Sequence, residues 1–192
     1  MEIEKKLKEF LPDMRFKHSV RVKNIAVKLA KINGCSEEKA AIASYLHDVA
    51  RDIPLKSMLD LLEEEGFFLQ DHGIPDNNPL LLHAHAGKVV ARKQFGVHDK
   101  EVLRSIELHT TGGESMSLLD KVIFVADYIE PGRTFSGVKE TRDLAFKSLD
   151  RAVLYIFKTL IKNLLNRELF ICKTTLLGYN ELVQNCSGYN GD

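Results

Sequence analysis

The chain has 192 residues, 44% hydrophobic and 28% charged, which suits one domain with a buried core, or one domain plus a small extension, and is a globular composition rather than a disordered or membrane one. Lysine plus arginine balances aspartate plus glutamate at 27 each, which argues against broad electrostatic binding of nucleic acid or an anionic membrane and leaves room for a local basic pocket. Three scattered cysteines without CxxC spacing read as reduced thiols, the start lacks a signal-peptide pattern, and no run reaches the ~20 apolar residues that span a bilayer, so a cytoplasmic protein is expected.

Helical periodicity dominates, strand alternation is weak, and no repeat or linker divides the chain, so the expected fold class is all-α. A first helix covers roughly Glu2 to Phe10. Pro12-Asp13 opens a second that runs to about Ile32, with Val22, Ile25, Ala26, Leu29 and Ile32 as its apolar stripe. His18 precedes Val22 by four residues and Ile25 by seven, which puts an imidazole on that stripe, and Arg21 faces a similar direction one turn on. Asn33-Gly34 stops the helix, and Ser36 caps the next, with Glu37 and Glu38 in its first turn.

In that helix Ala40, Ala43, His47 and Ala50 recur at intervals of three, four and three, a small-residue face that admits another helix closely. His47-Asp48 near its end places two metal-competent side chains about 100° apart. Asp52 reads as a proton carrier or as the N-cap of a helix that Pro54 starts and Gly66 ends, with Met58, Leu59, Leu61 and Leu62 inward and Glu63-Glu64-Glu65 facing solvent. Gln70 to Pro79 reads as a surface loop suited to a lid, and His72 and His98 as exposed.

From about Leu80 to Phe95, one helix carries His83, Gly87 and Val90 on one side, while His85 points away. From about Asp99, another aligns Val102, Ile106 and His109 and ends in Thr110-Thr111-Gly112-Gly113, which suits either a phosphate or a simple helix stop. Ser117 or Ser115 caps the next helix, which buries Leu119, Val122, Ile123 and Ala126 and delivers Asp127 before Glu130-Pro131 terminates it. A long helix from about Val138 to Leu165 and a mixed C-terminal tail complete the chain.

His18, His47, Asp48, His83, His109 and Asp127 are thus polar groups in apolar helical settings, where each would be costly without a partner. Four imidazoles and two carboxylates exceed the needs of one ion that must also bind water or substrate, so two ions are more plausible, with Asp48 able to bridge them. A hydroxide held between such ions attacks phosphorus in line at neutral pH. Mixed nitrogen and oxygen ligation suits iron, manganese or zinc and does not choose among them.

The order of these six residues resembles the metal-dependent phosphohydrolases of the HD superfamily. Three stretches are similar, more narrowly, to the bacterial YqeK-type symmetrical diadenosine-tetraphosphate hydrolases: His47 to Arg51, Leu81-Leu-His83-Ala-His-Ala-Gly87, and His109 to Gly112 with Lys121 to Arg133. The resemblance implies a single helical HD domain, with a core at about 16–135 and a nucleotide-lining tail at about 138–182. It implies that His18, His47, Asp48 and Asp127 bind one ion, that His83 and His109 help bind a second, and that both ions are iron. Cleavage at the midpoint of a dinucleoside tetraphosphate would give two ADP, with Asp48 and Asp52 as the catalytic candidates. Arg21, Arg51, Arg133 and Thr110 would contact the polyphosphate, and Phe170, Ile171 and Thr175 the nucleoside. Cys172-Lys173 stands where that family usually has His-Pro, a departure that bears on base recognition. A small dinucleotide partner, no nucleic acid, no membrane and an allowed homodimer complete the expectation. Rival readings are another HD nucleotide phosphohydrolase, such as a nucleotidase or alarmone pyrophosphohydrolase, and a nucleotide-sensing module without turnover.

Overall fold

Apolar side chains recurring every three or four residues make this chain helical, and a computed structural model of it describes residues 2–69, 74–75 and 78–186. The described residues contain ten helices and no strand: α1 (Glu2–Phe10), α2 (Asp13–Asn33), α3 (Glu37–Leu46), α4 (Leu55–Glu64), α5 (Pro79–Phe95), α6 (Lys100–Leu108), α7 (Leu118–Ile129), α8 (Val138–Ala145), α9 (Leu149–Asn166) and α10 (Lys173–Cys186). No described helix is long and apolar enough to cross a membrane.

The most hydrophobic of these, α7, lies at the centre. It buries Leu119, Val122, Ile123, Phe124, Val125, Ala126 and Ile129 and packs against α2, α3, α6, α8 and α9. A helix apolar on nearly all sides has to be surrounded. Its start is fixed by Ser117, whose hydroxyl accepts from Asp120 N while the Asp120 carboxylate accepts from Ser117 N; Ser117 rather than Ser115 is therefore the cap. On one side α2 packs along α3, and on another α5 pairs with α6 and α4. The α5 contact uses Gly87, where an added Cβ would stand 3.5 Å from the His47 carbonyl oxygen, an ordinary contact.

Several local expectations are corrected. The helix expected over Val138 to Leu165 is two, because Ser148 turns its hydroxyl to Arg151 N and restarts the helix with Asp150 in the first turn. The mixed tail is the helix α10, which packs on α9. Ile32 is 61% exposed, and Leu29 and Ala30 face the core instead. Asp52 caps no helix, as Pro54 holds that position without a side-chain bond. Glu64 and Glu65 are not merely solvated: Glu65 pairs with Arg92 and Lys93, and Glu64 with Lys93. His98 is exposed as expected. The lid expected over 70–79 lies, apart from 74–75 and 78–79, outside the described residues, as does His72.

Two interhelical contacts give measurable consequences. An added Cβ at Gly178 on α10 would come within 2.5 Å of the Gly113 carbonyl oxygen, so Gly178→Ala should cost about 1–3 kcal/mol in urea denaturation by forcing the backbones apart. Glu107 joins α6 to α5 through His85 Nδ1 at 3.1 Å and Lys88 Nζ at 2.7 Å. Burial opposes its ionisation, yet these partners hold its carboxyl down at about 2, below the ordinary 4.5. The lowered folded-state value means that the stabilisation is complete above pH 4.5 and disappears as the pH falls toward 2. Glu107→Gln should therefore lower stability by about 2 kcal/mol at pH 7, with the difference from the parent shrinking across that acid window.

Candidate metal centre

Helix ends deliver the site. α3 stops at Leu46 and α6 at Leu108, so His47 and His109 each occupy a C-terminal cap, where the final carbonyls of the helix have no intrahelical donor. His47 Nδ1 donates to Ser44 O at 2.7 Å and His109 Nδ1 to Ile106 O at 2.7 Å, and both rings are thereby aimed with Nε2 free. The His-Asp pair was expected on a helix; instead it starts a tight turn, marked by Val49 N to Leu46 O, Arg51 N to Asp48 O and Ile53 N to Ala50 O bonds. His18 comes from α2, His83 from α5 and Asp127 from the last turn of α7.

These six side chains converge. His18 Nε2 lies 3.2 Å from His47 Nε2, 3.1 Å from Asp127 Oδ1 and 3.7 Å from Asp48 Oδ2. His83 Nε2 lies 3.1 Å from His109 Nε2 and 3.2 Å from Asp48 Oδ1. Asp48 therefore turns one oxygen to His18 and His47 and the other to His83 and His109, and two groups with cation-holding geometry share it: His18, His47, Asp48 and Asp48, His83, His109. All but Asp127 are buried residues.

The donor set fits metal. With Nδ1 of His47 and His109 committed to carbonyls, their Nε2 lone pairs face other acceptors at close range, an arrangement that repels itself unless a cation intervenes. Ligand atoms about 2.1 Å from one ion stand about 3.0–3.4 Å from one another; the His18–His47, His18–Asp127, His83–His109 and His83–Asp48 pairs lie at 3.1–3.2 Å, and the remaining pairs with the two carboxylates at 3.6–3.8 Å. Protonation is a poor substitute at His47, where burial pushes the imidazole down to about 4 despite Asp48 and Asp127 nearby. Burial lowers His83 too. Burial works against ionised Asp48 and Asp127, but His47, His109 and His83 hold the first carboxyl well below its ordinary value, and His18, His47 and Arg133 the second.

A cavity of about 200 Å³ adjoins the cluster, lined by Asp48, His83, His109 and Asp127 together with Arg15, Arg51, Thr110, Tyr128 and Arg133, and by the apolar Phe124, Ile156 and Leu160. Arg51 Nη1 lies 3.0 Å from His83 Nδ1 and 3.4 Å from its Nε2, and Thr110 Oγ1 lies 3.1 Å from His109 Nε2. Arg133 is both a cap and a site group: Nε donates to Asp127 O at 3.1 Å and Nη2 to Asp127 Oδ1 at 2.6 Å.

Other sequence candidates fall elsewhere. Arg21 Nε is held by Glu130 Oε2 at 2.6 Å and lines a neighbouring depression with His18 and Arg15. Asp52, about two-fifths exposed, accepts from Arg15 Nε at 3.1 Å and Nη2 at 3.2 Å. Thr175 is buried and donates to Thr111 O at 2.9 Å, which ties α10 to the loop after His109, whereas Phe170 is half-exposed and neither it nor Ile171 lines the cavity. Cys172 is buried with its Sγ 3.1 Å from Thr174 Oγ1.

Sequence reasoning missed Arg15 and Glu130. Arg15 Nη1 donates to Asp48 Oδ2 at 2.7 Å; its position three residues before His18, one turn away, was the available signal. Glu130 is buried against His18; it lies in the Lys121 to Arg133 stretch that carries the resemblance, but its position reads only as part of a helix stop.

The HD domain family matches residues 15–132. Over 177 residues, covering 92% of this chain and 94% of the relative, the chain is 38% identical to the symmetrical bis(5'-nucleosyl)-tetraphosphatase of Bacillus subtilis. It is 35% identical over 187 residues to the protein of the same name in Staphylococcus aureus, covering 95% of this chain and 90% of that one. A crystal structure from Clostridium acetobutylicum, described as a predicted HD superfamily hydrolase involved in NAD metabolism, superposes with a TM-score of 0.90 at 40% identity and 96% coverage of both chains.

Because Asp48 belongs to both groups and His83 to one, their substitutions should differ. Protein purified without chelator should lose most of its metal, about tenfold or more, on Asp48→Asn, and no more than about half on His83→Ala, by elemental analysis of folded samples.

Proposed function

From membership of the HD domain family, and within it of the symmetrical bis(5'-nucleosyl)-tetraphosphatases, to which this chain belongs, we infer that it cleaves diadenosine tetraphosphate at its midpoint into two molecules of ADP. The observation that carries this reading to the residues is the division of the two Asp48 oxygens between two histidine groups at the wall of an arginine-lined cavity. His18, His47, Asp48 and Asp127 would hold one cation, and Asp48, His83 and His109 a second. Iron, which the family resemblance implies, is the proposed metal, with manganese and zinc as alternatives among which the ligands do not choose; the set is too rich in nitrogen for a dedicated magnesium site. When bound, such cations supply a water activated at neutral pH and neutralise charge that develops on phosphoryl oxygens.

The chain's own groups do the rest. Arg51 and Arg133 project planar donor forks into the cavity and are the proposed partners of the polyphosphate, and Arg15 adds positive charge beside Asp48. Each of these guanidinium groups already contacts a proposed ligand, so a phosphate drawn to them is brought to the metal centre. The Thr110 hydroxyl, at the same wall, can donate to a non-bridging oxygen. Asp52 acts, in this reading, by orienting Arg15. Phe124, Ile156 and Leu160 offer apolar surface to a nucleoside, and buried Thr175 keeps α10 against the same loop.

Purified protein incubated with diadenosine tetraphosphate and iron or manganese should yield ADP as the sole nucleotide, and chelation should abolish turnover. AMP with ATP as products, or release of inorganic phosphate, would indicate a different HD hydrolase, and binding without products across several metals a sensing module. Arg51→Ala should lower kcat/KM by about tenfold to a hundredfold, the worth of a charge-assisted phosphate contact.

A further inference from the structure

Of the four clustered imidazoles, three have Nδ1 near a main-chain carbonyl: His47 at Ser44 O, His109 at Ile106 O, and His83 at 3.3 Å from Pro79 O. His18 differs. It sits inside α2, and its Nδ1 faces a carboxylate, Glu130 Oε1 at 3.3 Å.

Glu130 is held as firmly as the ligands. It is 2% exposed at the C-terminal cap of α7, and its Oε2 accepts from Arg21 Nε at 2.6 Å and from Gly132 N at 2.6 Å. A Cβ on Gly132 would stand 2.9 Å from Oε1 and 3.0 Å from Arg21 Nη2, so the chain passes close beside this ion pair and a side chain there would displace it. Arg142 pins the same segment from behind, donating to the carbonyls of Ile129 at 2.9 Å and of Glu130 and Arg133 at 2.8 Å. A buried carboxylate with this much dedicated support has a role beyond ending a helix.

We propose that Glu130 is a positioning residue: its carboxylate accepts the His18 Nδ1 proton, fixes the tautomer that leaves the Nε2 lone pair facing His47, Asp48 and Asp127, and makes that nitrogen a stronger donor to a cation. The proposal rests on reading that group as a metal site. A carboxylate accepts the imidazole proton more strongly than a carbonyl does, and outer partners of this kind set ligand orientation and basicity. The two cation positions are therefore unequal, and the one that includes His18 fills first. Arg21, on this account, serves Glu130 first and substrate second.

The test is manganese(II) titration of full-length metal-free protein, read by electron paramagnetic resonance for free ion, alongside nitrogen-15 NMR of the histidine rings. Glu130→Gln keeps the shape and removes the charge, and should weaken the first-binding ion about tenfold to a hundredfold, leave the second within about threefold, and shift the His18 ring toward a mixture of tautomers. Arg21→Met, which removes the ion pair but not the carboxylate, should leave the first ion within about threefold. If Glu130→Gln binds manganese as the parent does while His18→Ala loses the first ion, the metal site stands and the relay is overturned. Equal weakening by Arg21→Met and Glu130→Gln would reduce Glu130 to a structural brace and also overturn it. If the parent takes up no ion, the site reading falls and the relay with it.

Discussion

Lone pairs that face one another among buried side chains govern this structure. Imidazole nitrogens of His18 and His47 stand 3.2 Å apart, those of His83 and His109 3.1 Å apart, and the Asp48 carboxylate lies between the pairs. Groups of this polarity cannot be placed in a protein interior without compensation. Metal is the compensation that suits the donors, and the arginines supply part of the remaining positive charge: Arg15 on Asp48 and Arg133 on Asp127. The apolar packing around α7 is what buries most of these groups, and so what makes the cluster demanding.

Helix termini meet that demand economically. His47 and His109 are placed where α3 and α6 run out of internal donors, so each ring satisfies an orphan carbonyl and is aimed by the same bond. His18 has no such carbonyl and borrows a carboxylate from the turn after α7, the turn that also brings Arg133 back onto Asp127. The C-terminal hairpin of α9 and α10 completes the wall. Ile156 and Leu160 line the cavity, and α10 is locked to the Thr111–Gly113 loop by the Thr175 hydroxyl and the close approach of Gly178. At Gly112, φ is +60° and an added Cβ would meet Phe157 at 2.5 Å, so the loop can turn under α9 only without a side chain.

Membership of a family of tetraphosphatases fits this geometry in a specific way. A polyphosphate needs positive charge on more than one side of the scissile bond, and here three guanidinium groups approach the cluster from α2, from the turn after α3 and from the turn after α7. A chain of zero formal net charge can still do this, because its positive groups are gathered locally while acidic residues elsewhere, such as Glu64, Glu65 and Glu107, are paired with lysines and arginines of α5.

Much of this was legible in the linear chain. Periodicity gave the number and type of most elements, and the six residues with cation-holding potential stood out as polar groups on apolar faces. Helix breaks decided by a single cap, as at Ser148, were not legible, since the flanking apolar pattern runs on in phase through Phe146 and Leu149. Arg15 and Glu130 were overlooked because each looks like an ordinary helix-start or helix-stop residue, and only the packing of α2 against α7 brings Glu130 to His18. What the sequence determined alone was the all-helical character and which polar side chains stand on apolar faces, since both follow from local spacing and side-chain chemistry. Which oxygen of Asp48 serves which histidine pair, and which carboxylate orients His18, only the tertiary structure decided, because those relations join residues up to 112 positions apart and depend on how helices cross rather than on any local pattern.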